Sequence, residues 1–390
     1  MARRRLDARP SSARPLERAR CGLYNASNTC YLNAVIQARP PRSARRRRDR
    51  ARSHRARSAE GLDVGAEIRK VMRTMIEGEC EAFPPQELLR SVWRLVPSFA
   101  GNEQQDAHEF MRFLLDRLRK ELSLGKYAVR EKLEESQKDV VPKASPRSPT
   151  LNTDKEDDKI MELFGGLAVT RVTCMTCERF TERREPFMDL SLPIPSGPNG
   201  EVTLQQCLAA FVRNETLSGH GRYFCEGCGK VQSATKSTRI AKLPPILCLH
   251  LKRFTWKGHT TRTKLTNDVD FPLDDLDLAP YCESDGEGDK KQEKKTAASS
   301  GKSRTPLRGA NASTQHTHSD KLYDLIAVVT HHGSSASSGH YTACARELTD
   351  DGSNGWQHFN DDEVNLLTPE EVRSGQGYIF LYARRPTETS

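Results

Sequence analysis

No run of about 18 consecutive apolar residues occurs in the 390-residue chain, so no helix long and apolar enough to cross a membrane is predicted. The first twenty residues carry charge with no apolar core behind it, which argues against a secretory leader. Their Arg and Ser content suits a mitochondrial presequence, but Asp7, Glu17, Pro10 and Pro15 speak against one. Large apolar residues are also sparse. Hydrophobic residues are 36% of the chain, aromatic residues 6%, and mean hydropathy is −0.70. That is low for a chain folded throughout, and implies a core diluted by polar inserts. No internal repeat is visible, which argues against a solenoid. An excess of basic charge is missing as well, outside one segment. Residues 39–57 hold ten Arg and one Asp and so account for the whole formal charge of +9. A uniformly basic nucleic-acid-binding surface is thereby excluded. Cysteine is not scarce: there are 11. Without a secretory leader the expected compartment is reducing, where metal ligation and catalysis outrank disulfides.

Along the chain, helices come first and strands later. Residues 1–20 are predicted to be a disordered basic terminus. A polar, turn-prone lead-in, Cys21 to Ser27, opens into a short apolar helix starting at Asn28 or Thr29 and ending before Pro40 and Pro41. Residues 39–60 are expected to form an unstructured basic insert. Val64, Ile68, Val71, Met72, Met75 and Ile76 follow helical spacing. A further helix is predicted over 85–96. Ala107, Phe110, Met111, Leu114, Leu115, Leu118 and Leu122 form one apolar stripe, with Asn102 and Gln105 as its expected capping box. Residues 130–158 and 283–320 read as two more disordered inserts. Strand patterns cover Val169–Val172, Phe187–Leu192, Ile246–Phe254, Leu322–Thr330, Tyr341–Arg346 and Gly377–Tyr382. The order predicts an α+β fold instead of an alternating α/β one.

Three groups of residues carry chemistry. Cys30 falls in the first turn of its helix, where free N–H groups and the helix dipole favour a thiolate. The same residue alone also reads as a small buried apolar side chain. A cysteine nucleophile needs a base, normally His, brought to it by folding. Near the C-terminus, His331-His332 precede a Gly/Ser-rich loop that ends at His340, the start of a strand, and Asn360-Asp361-Asp362 follow on the next segment. A His placed so, with an Asn or Asp beside it, suits a base and its orienting partner, the partner accepting the Nδ1 proton. His331 and His332 read as loop-lining residues, with metal binding as the alternative. His108 and His250 read as packing residues. The third group is Cys174-x-x-Cys177 with Cys225-x-x-Cys228. Two such knuckles present four thiolates to one tetrahedral ion, and a closed four-Cys site is structural, so Zn²⁺ is the expected cofactor.

Together the Cys21–Gln37 stretch, the Gln104–Phe110 segment, the double CxxC, Leu-His-Leu-Lys-Arg-Phe at 249–254 and the region from Tyr323 through His340 to Asp361 resemble the ubiquitin-specific protease family of cysteine deubiquitinases. The resemblance spans about residues 21–385, taken as one catalytic domain. It implies a papain-like hand with a helical thumb, zinc-bearing fingers and a β-rich palm. It also implies Cys30 as nucleophile, His340 as general base, Asn360 as the orienting residue with Asp361 as a helper, and Asn25 as the oxyanion-hole amide. The implied reaction is thiol-dependent hydrolysis at ubiquitin's C-terminal glycine, with ubiquitin and ubiquitylated proteins, histones among them, as partners of a monomer that needs no membrane. Some nuclear members act on histones, and Arg runs at 3–5 and 45–48 fit residence in the nucleus, the cytoplasm or both. Two departures stand out. Residues 38–60 carry prolines and arginines where the family continues apolar packing. Ser27 stands where the family usually has glycine, at a strain of about 1–2 kcal/mol if the turn needs positive φ. The alternative reading is therefore a catalytically impaired ubiquitin-binding scaffold of the same fold. A third is a zinc-ribbon nucleic-acid binder contacting phosphates through 39–57.

Overall fold

The computed structural model describes residues 21–38, 64–78, 80–137, 158–197, 201–257, 261–283, 318–335, 338–348 and 354–386. The expected disordered segments 1–20 and 39–60 lie outside these residues, as do 138–157 and 284–317 of the other two inserts. The described residues bear out the α+β order, with helices in the first third and strands after residue 166.

The chain forms two compact units from interleaved segments. The first is built from residues up to 158, 254–264 and 327–378. It contains helices α1 (Cys30–Gln37), α2 (Val64–Glu77), α3 (Gln86–Leu95) and α4 (Ala107–Gln137). Helix α1 is buried on nearly every side, including Tyr31, Leu32, Ala34 and Ile36. Tyr31 stacks on Phe99 at 5.7 Å and meets Phe110 of α4 edge-on at 5.4 Å. Full burial of such side chains contributes about 1.5–3 kcal/mol each, so packing compensates for the low intrinsic stability of an eight-residue helix. At the start of α2, the Glu121 carboxylate of α4 accepts the N–H groups of Val64 and Gly65 at 3.0 and 2.7 Å. The first turn of α2 is thus capped from another helix.

Two expectations about α4 need correction. Its N-terminal cap is Asp106, whose side chain accepts the His108 N–H at 2.8 Å. Asn102 lies too early in the chain to reach the first helical N–H groups, and Gln105 instead donates to the Ser98 carbonyl. At the other end the helix continues to Gln137, past the expected start of an insert at 130. Residues 128–135 are mostly good helix formers, and no proline intervenes before Pro142.

The sheet of this unit is an antiparallel meander. Residues from Ala327 of the Leu322–His332 strand pair with the His340–Leu348 strand. That strand pairs with Asn354–Asn360, and Asn354–Asn360 pairs in turn with Glu363–Leu367. A separate hairpin joins Phe254–Lys257 to Thr261–Lys264.

The second unit comprises residues 159–253, 265–326 and 379–390. Four antiparallel strands, ordered Phe180–Phe187, Gly166–Cys174, Ala234–Lys242 and Glu215–Leu217, carry a small hairpin, Tyr223–Cys225 with Lys230–Gln232. Ile246–Leu251, buried along its length beyond Ile246, pairs with residues 379–383 on one side and Leu190–Leu192 on the other. The single strands expected over Ile246–Phe254 and Phe187–Leu192 are each broken. Residues 252–253 interrupt the first, and 188–189 the second. In the first break Arg253 turns inward and donates to the Leu265 and Asn267 carbonyls.

Candidate active site

The lead-in to α1 is a tight left-handed turn. Ser27 and Asn28 have φ of 75° and 59°, so the turn does need positive φ, a conformation that costs a non-glycine residue about 1–2 kcal/mol. Neighbouring hydrogen bonds hold it. The Asn25 Oδ1 accepts the Thr29 N–H at 2.9 Å, the Thr29 hydroxyl accepts the Ala26 N–H at 3.0 Å, and the Asn28 amide donates to the Asn102 carbonyl at 2.6 Å. Thr29 is the N-cap residue, but its side chain makes no cap bond; the cap is supplied by Asn25. Cys30 follows as the first helical residue, 3% exposed.

His340 opens its strand immediately after Gly339. It lies opposite His332 in the register. The imidazole hydrogen-bonds the Cys30 side chain, and this bond, reinforced by Asn360, lifts its pKa to about 9 against the opposing effect of burial. Its Nε2 sits 2.7 Å from Asn360 Oδ1. The sequence reading placed the orienting bond on Nδ1. The structure places it on Nε2, the ring nitrogen that faces Asn360 at the end of its strand.

Asp361 is 7% exposed and sits in a turn with φ of 53°. One carboxylate oxygen accepts from the Asn25 amide at 2.9 Å, the other from Asn33 of α1 at 2.8 Å. Its carbonyl accepts from Gln37 and from the Leu23 N–H. The nearest carboxylate oxygen is 3.9 Å from His340 Nε2. Asp361 therefore grips Asn25 more closely than it approaches the imidazole. An amide nitrogen carries two hydrogens; Asp361 takes one of those on Asn25 and leaves the other for a ligand.

All five residues expected at the site, Cys30, His340, Asn360, Asn25 and Asp361, lie together in the first unit, but in two groups: His340 with Asn360 and Cys30, and Asn25 with Asp361, the two approaching no closer than the 3.9 Å between His340 Nε2 and Asp361. Asn33 and Gln37 were not anticipated. Their signal was two amides one helical turn apart on an otherwise apolar helix, a pattern that marks a buried polar partner. Lys264 was also missed, and so was Asp106, which accepts the Tyr378 hydroxyl at 2.8 Å. His108 and His250 are buried, and Ser191 Oγ lies 2.9 Å from His250 Nδ1. His331 is buried against Phe254 and Tyr341. His332 Nε2 meets the Thr342 hydroxyl at 2.8 Å.

In the second unit, the sulfurs of Cys174, Cys177, Cys225 and Cys228 all lie within 4.8 Å of one another. The Cys174–Cys228 and Cys177–Cys225 sulfurs are 3.9 and 3.5 Å apart. Four sulfurs at the usual Zn–S bond length around a tetrahedral centre would be about 3.8 Å apart. The cluster fits a single thiophilic ion, and it is the one such group among the described residues.

Residues 21–382 match the family model of the ubiquitin carboxyl-terminal hydrolases. Ubiquitin carboxyl-terminal hydrolase 3 of Homo sapiens is 34% identical over 392 residues, covering 93% of this chain and 67% of that protein. Ubiquitin carboxyl-terminal hydrolase 2 of Gallus gallus is 31% identical over 372 residues, covering 93% of this chain and 92% of its own length. The fold resembles that of the Ubp8-containing SAGA DUB module bound to ubiquitin aldehyde, with a TM-score of 0.67, 25% identity, and coverage of 97% of this chain and 72% of that one.

Proposed function

This chain belongs to the ubiquitin carboxyl-terminal hydrolase family, and from that premise we propose that it cleaves the isopeptide bond at the C-terminal glycine of ubiquitin, with Cys30 as nucleophile. The observation that carries the reading is the hydrogen bond between Cys30 and His340, two residues some three hundred positions apart in sequence.

In this mechanism Cys30 reacts as a thiolate paired with the His340 imidazolium. The thiolate attacks the glycine carbonyl carbon and a tetrahedral oxyanion forms. The free N–H of Asn25 and the backbone N–H of Cys30, which has no intrahelical acceptor at this position, donate to that oxygen. Asp361 holds the Asn25 amide in its working orientation. His340 then gives its proton to the departing lysine amine, leaving a thioester. Water, deprotonated by the same imidazole, attacks the thioester carbonyl and releases ubiquitin and the thiol. Asn360 keeps the ring in plane through Nε2, so that Nδ1 faces Cys30 during both proton transfers.

Cys174, Cys177, Cys225 and Cys228 would hold a Zn²⁺ ion, which would supply structural cross-linking only, because four thiolates leave no open coordination position. Bound there, the ion would fix the strands around the four cysteines, the part of the chain offered to ubiquitin's globular body. The test is release of a fluorophore from a ubiquitin C-terminal amide. Wild-type protein is expected to turn over and Cys30→Ser to lose turnover; a folded, zinc-loaded wild type without turnover overturns the proposal.

A further inference from the structure

Gly333 has φ of 105°, and a Cβ on Gly339 would lie 2.3 Å from His331 Nε2 and 2.4 Å from the His332 carbonyl. Both glycines are therefore required, and neither contributes a side chain that could hold the loop. The constraint comes from a different segment. Lys264, the last residue of the Thr261–Lys264 strand, is 8% exposed. Its Nζ donates to the His331 and Gly333 carbonyls, both at 2.7 Å, and to Gln376 Oε1 at 3.2 Å. The residue before it, Thr263, forms a β-bridge with Ser335. Residues 331, 333 and 335 are thus tied to two consecutive residues of one strand.

The carbonyls that Lys264 grips flank His332, and His332 is the cross-strand partner of His340. Hydrogen bonds from a buried amine to backbone carbonyls strengthen as water is excluded. Those of Lys264 are therefore directional and stiff compared with those of an exposed lysine.

We propose that Lys264 is a positioning residue for the reaction: its ammonium fixes the turn around His332 and Gly333, and thereby sets His340 at bonding distance from Cys30. This rests on the ubiquitin hydrolase reading for its kinetic consequence, though not for its geometry. The charged and titratable groups that face His340 are Cys30 from α1, Asp361 from the following turn, His332 from the adjacent strand and His358 from Asn354–Asn360. Lys264 acts through the loop backbone it holds, at the His331 and Gly333 carbonyls.

The test compares Lys264→Met, which keeps length and loses the charge and donors, with Lys264→Arg, which keeps a cation and donors. Two readouts are taken. Ring-carbon NMR titration of His340 in the unliganded chain, assigned with His340→Gln, needs no substrate. The wild type is expected to titrate near pH 9, K264M markedly closer to the ordinary histidine value of about 6.5, and K264R between them. On the ubiquitin C-terminal fluorophore amide, K264M is expected to lose about 100-fold in kcat, the scale of a small misplacement of a catalytic group, with KM little changed. A silent wild-type assay beside the expected NMR titrations would remove the hydrolase reading and leave the positioning role intact. Unchanged His340 titration and kcat in K264M would overturn the proposal. So would loss of the whole thermal unfolding transition in K264M, since Lys264 would then be holding the fold at large.

Discussion

In the proposed mechanism Asn25 is the residue on which the chemistry turns once Cys30 and His340 are in place. Its amide is committed on two sides, to the Thr29 N–H and to Asp361, and only one hydrogen is left for the oxyanion. Asn25→Ala is expected to raise the barrier by about 3–4 kcal/mol, read as a fall in kcat with KM largely retained. Asp361→Ala, which frees the same amide to rotate, should lower kcat in the same sense. The pH dependence follows from His340, whose pKa is lifted to about 9 with Cys30 and Asn360 as partners. A raised histidine pKa keeps the proton bound below that value and loses it above. The basic limb of kcat/KM is therefore expected near pH 9, and Asn360→Ala, which removes one of the raising hydrogen bonds, should move that limb to lower pH. At this scale Ser27 bears a cost. Its φ of 75° makes Ser27→Gly an expected gain of about 1 kcal/mol in stability, measurable by chemical denaturation.

Among the elements, α1 decides whether the site exists. It is eight residues long and is followed by the arginine-rich segment, so its position depends on contacts made from outside. Those contacts are the aromatic group around Tyr31, the amides of Asn33 and Gln37 on the Asp361 turn, and the neighbouring helices. Helix α2 re-enters the fold under the Glu121 carboxylate, which is half of a pair with Arg117 at 2.6 Å. Glu121→Ala removes the cap on two N–H groups and is expected to cost about 1–2 kcal/mol, seen as a lower thermal midpoint with faster amide exchange confined to the first turn of α2. In the strand that carries the base, Gly339→Ala has no room for its methyl group against His331 and His332. It is expected to abolish most turnover without loss of metal.

The helices were legible because their apolar stripes are long, and the double CxxC because its spacing has few other uses. Cys30, His340 and Asn360 were legible through motif resemblance; periodicity alone could not have joined them. What the sequence could not reveal was direction. Whether Asn360 meets Nε2 or Nδ1, and whether Asp361 serves the imidazole or Asn25, depends on which side of the ring two distant segments lie. The broken strands at 188–189 and 252–253 escaped notice for a similar reason: a short apolar run reads as continuous even where one residue, such as Arg253, turns inward to bond backbone carbonyls.

For the whole molecule, the chain forms two compact units, one with Cys30 and His340, the other with the four-cysteine cluster. Mass spectrometry under native conditions is expected to find about one zinc per chain. Metal affinity of a closed thiolate site is also folding free energy, so a strong chelator should lower the thermal stability of the second unit and reduce turnover of ubiquitin substrates. Alkylation of Cys30 by a small electrophile should survive that treatment.

The most direct measurement is reaction with ubiquitin that bears an electrophile in place of its C-terminal carboxylate, followed by intact-mass and peptide mapping. The expected result is one ubiquitin per chain, attached through Cys30 and absent in Cys30→Ser. A folded, metal-loaded chain that takes up no ubiquitin, or carries it on another of its cysteines, would contradict the assignment of Cys30 and His340 as the working pair.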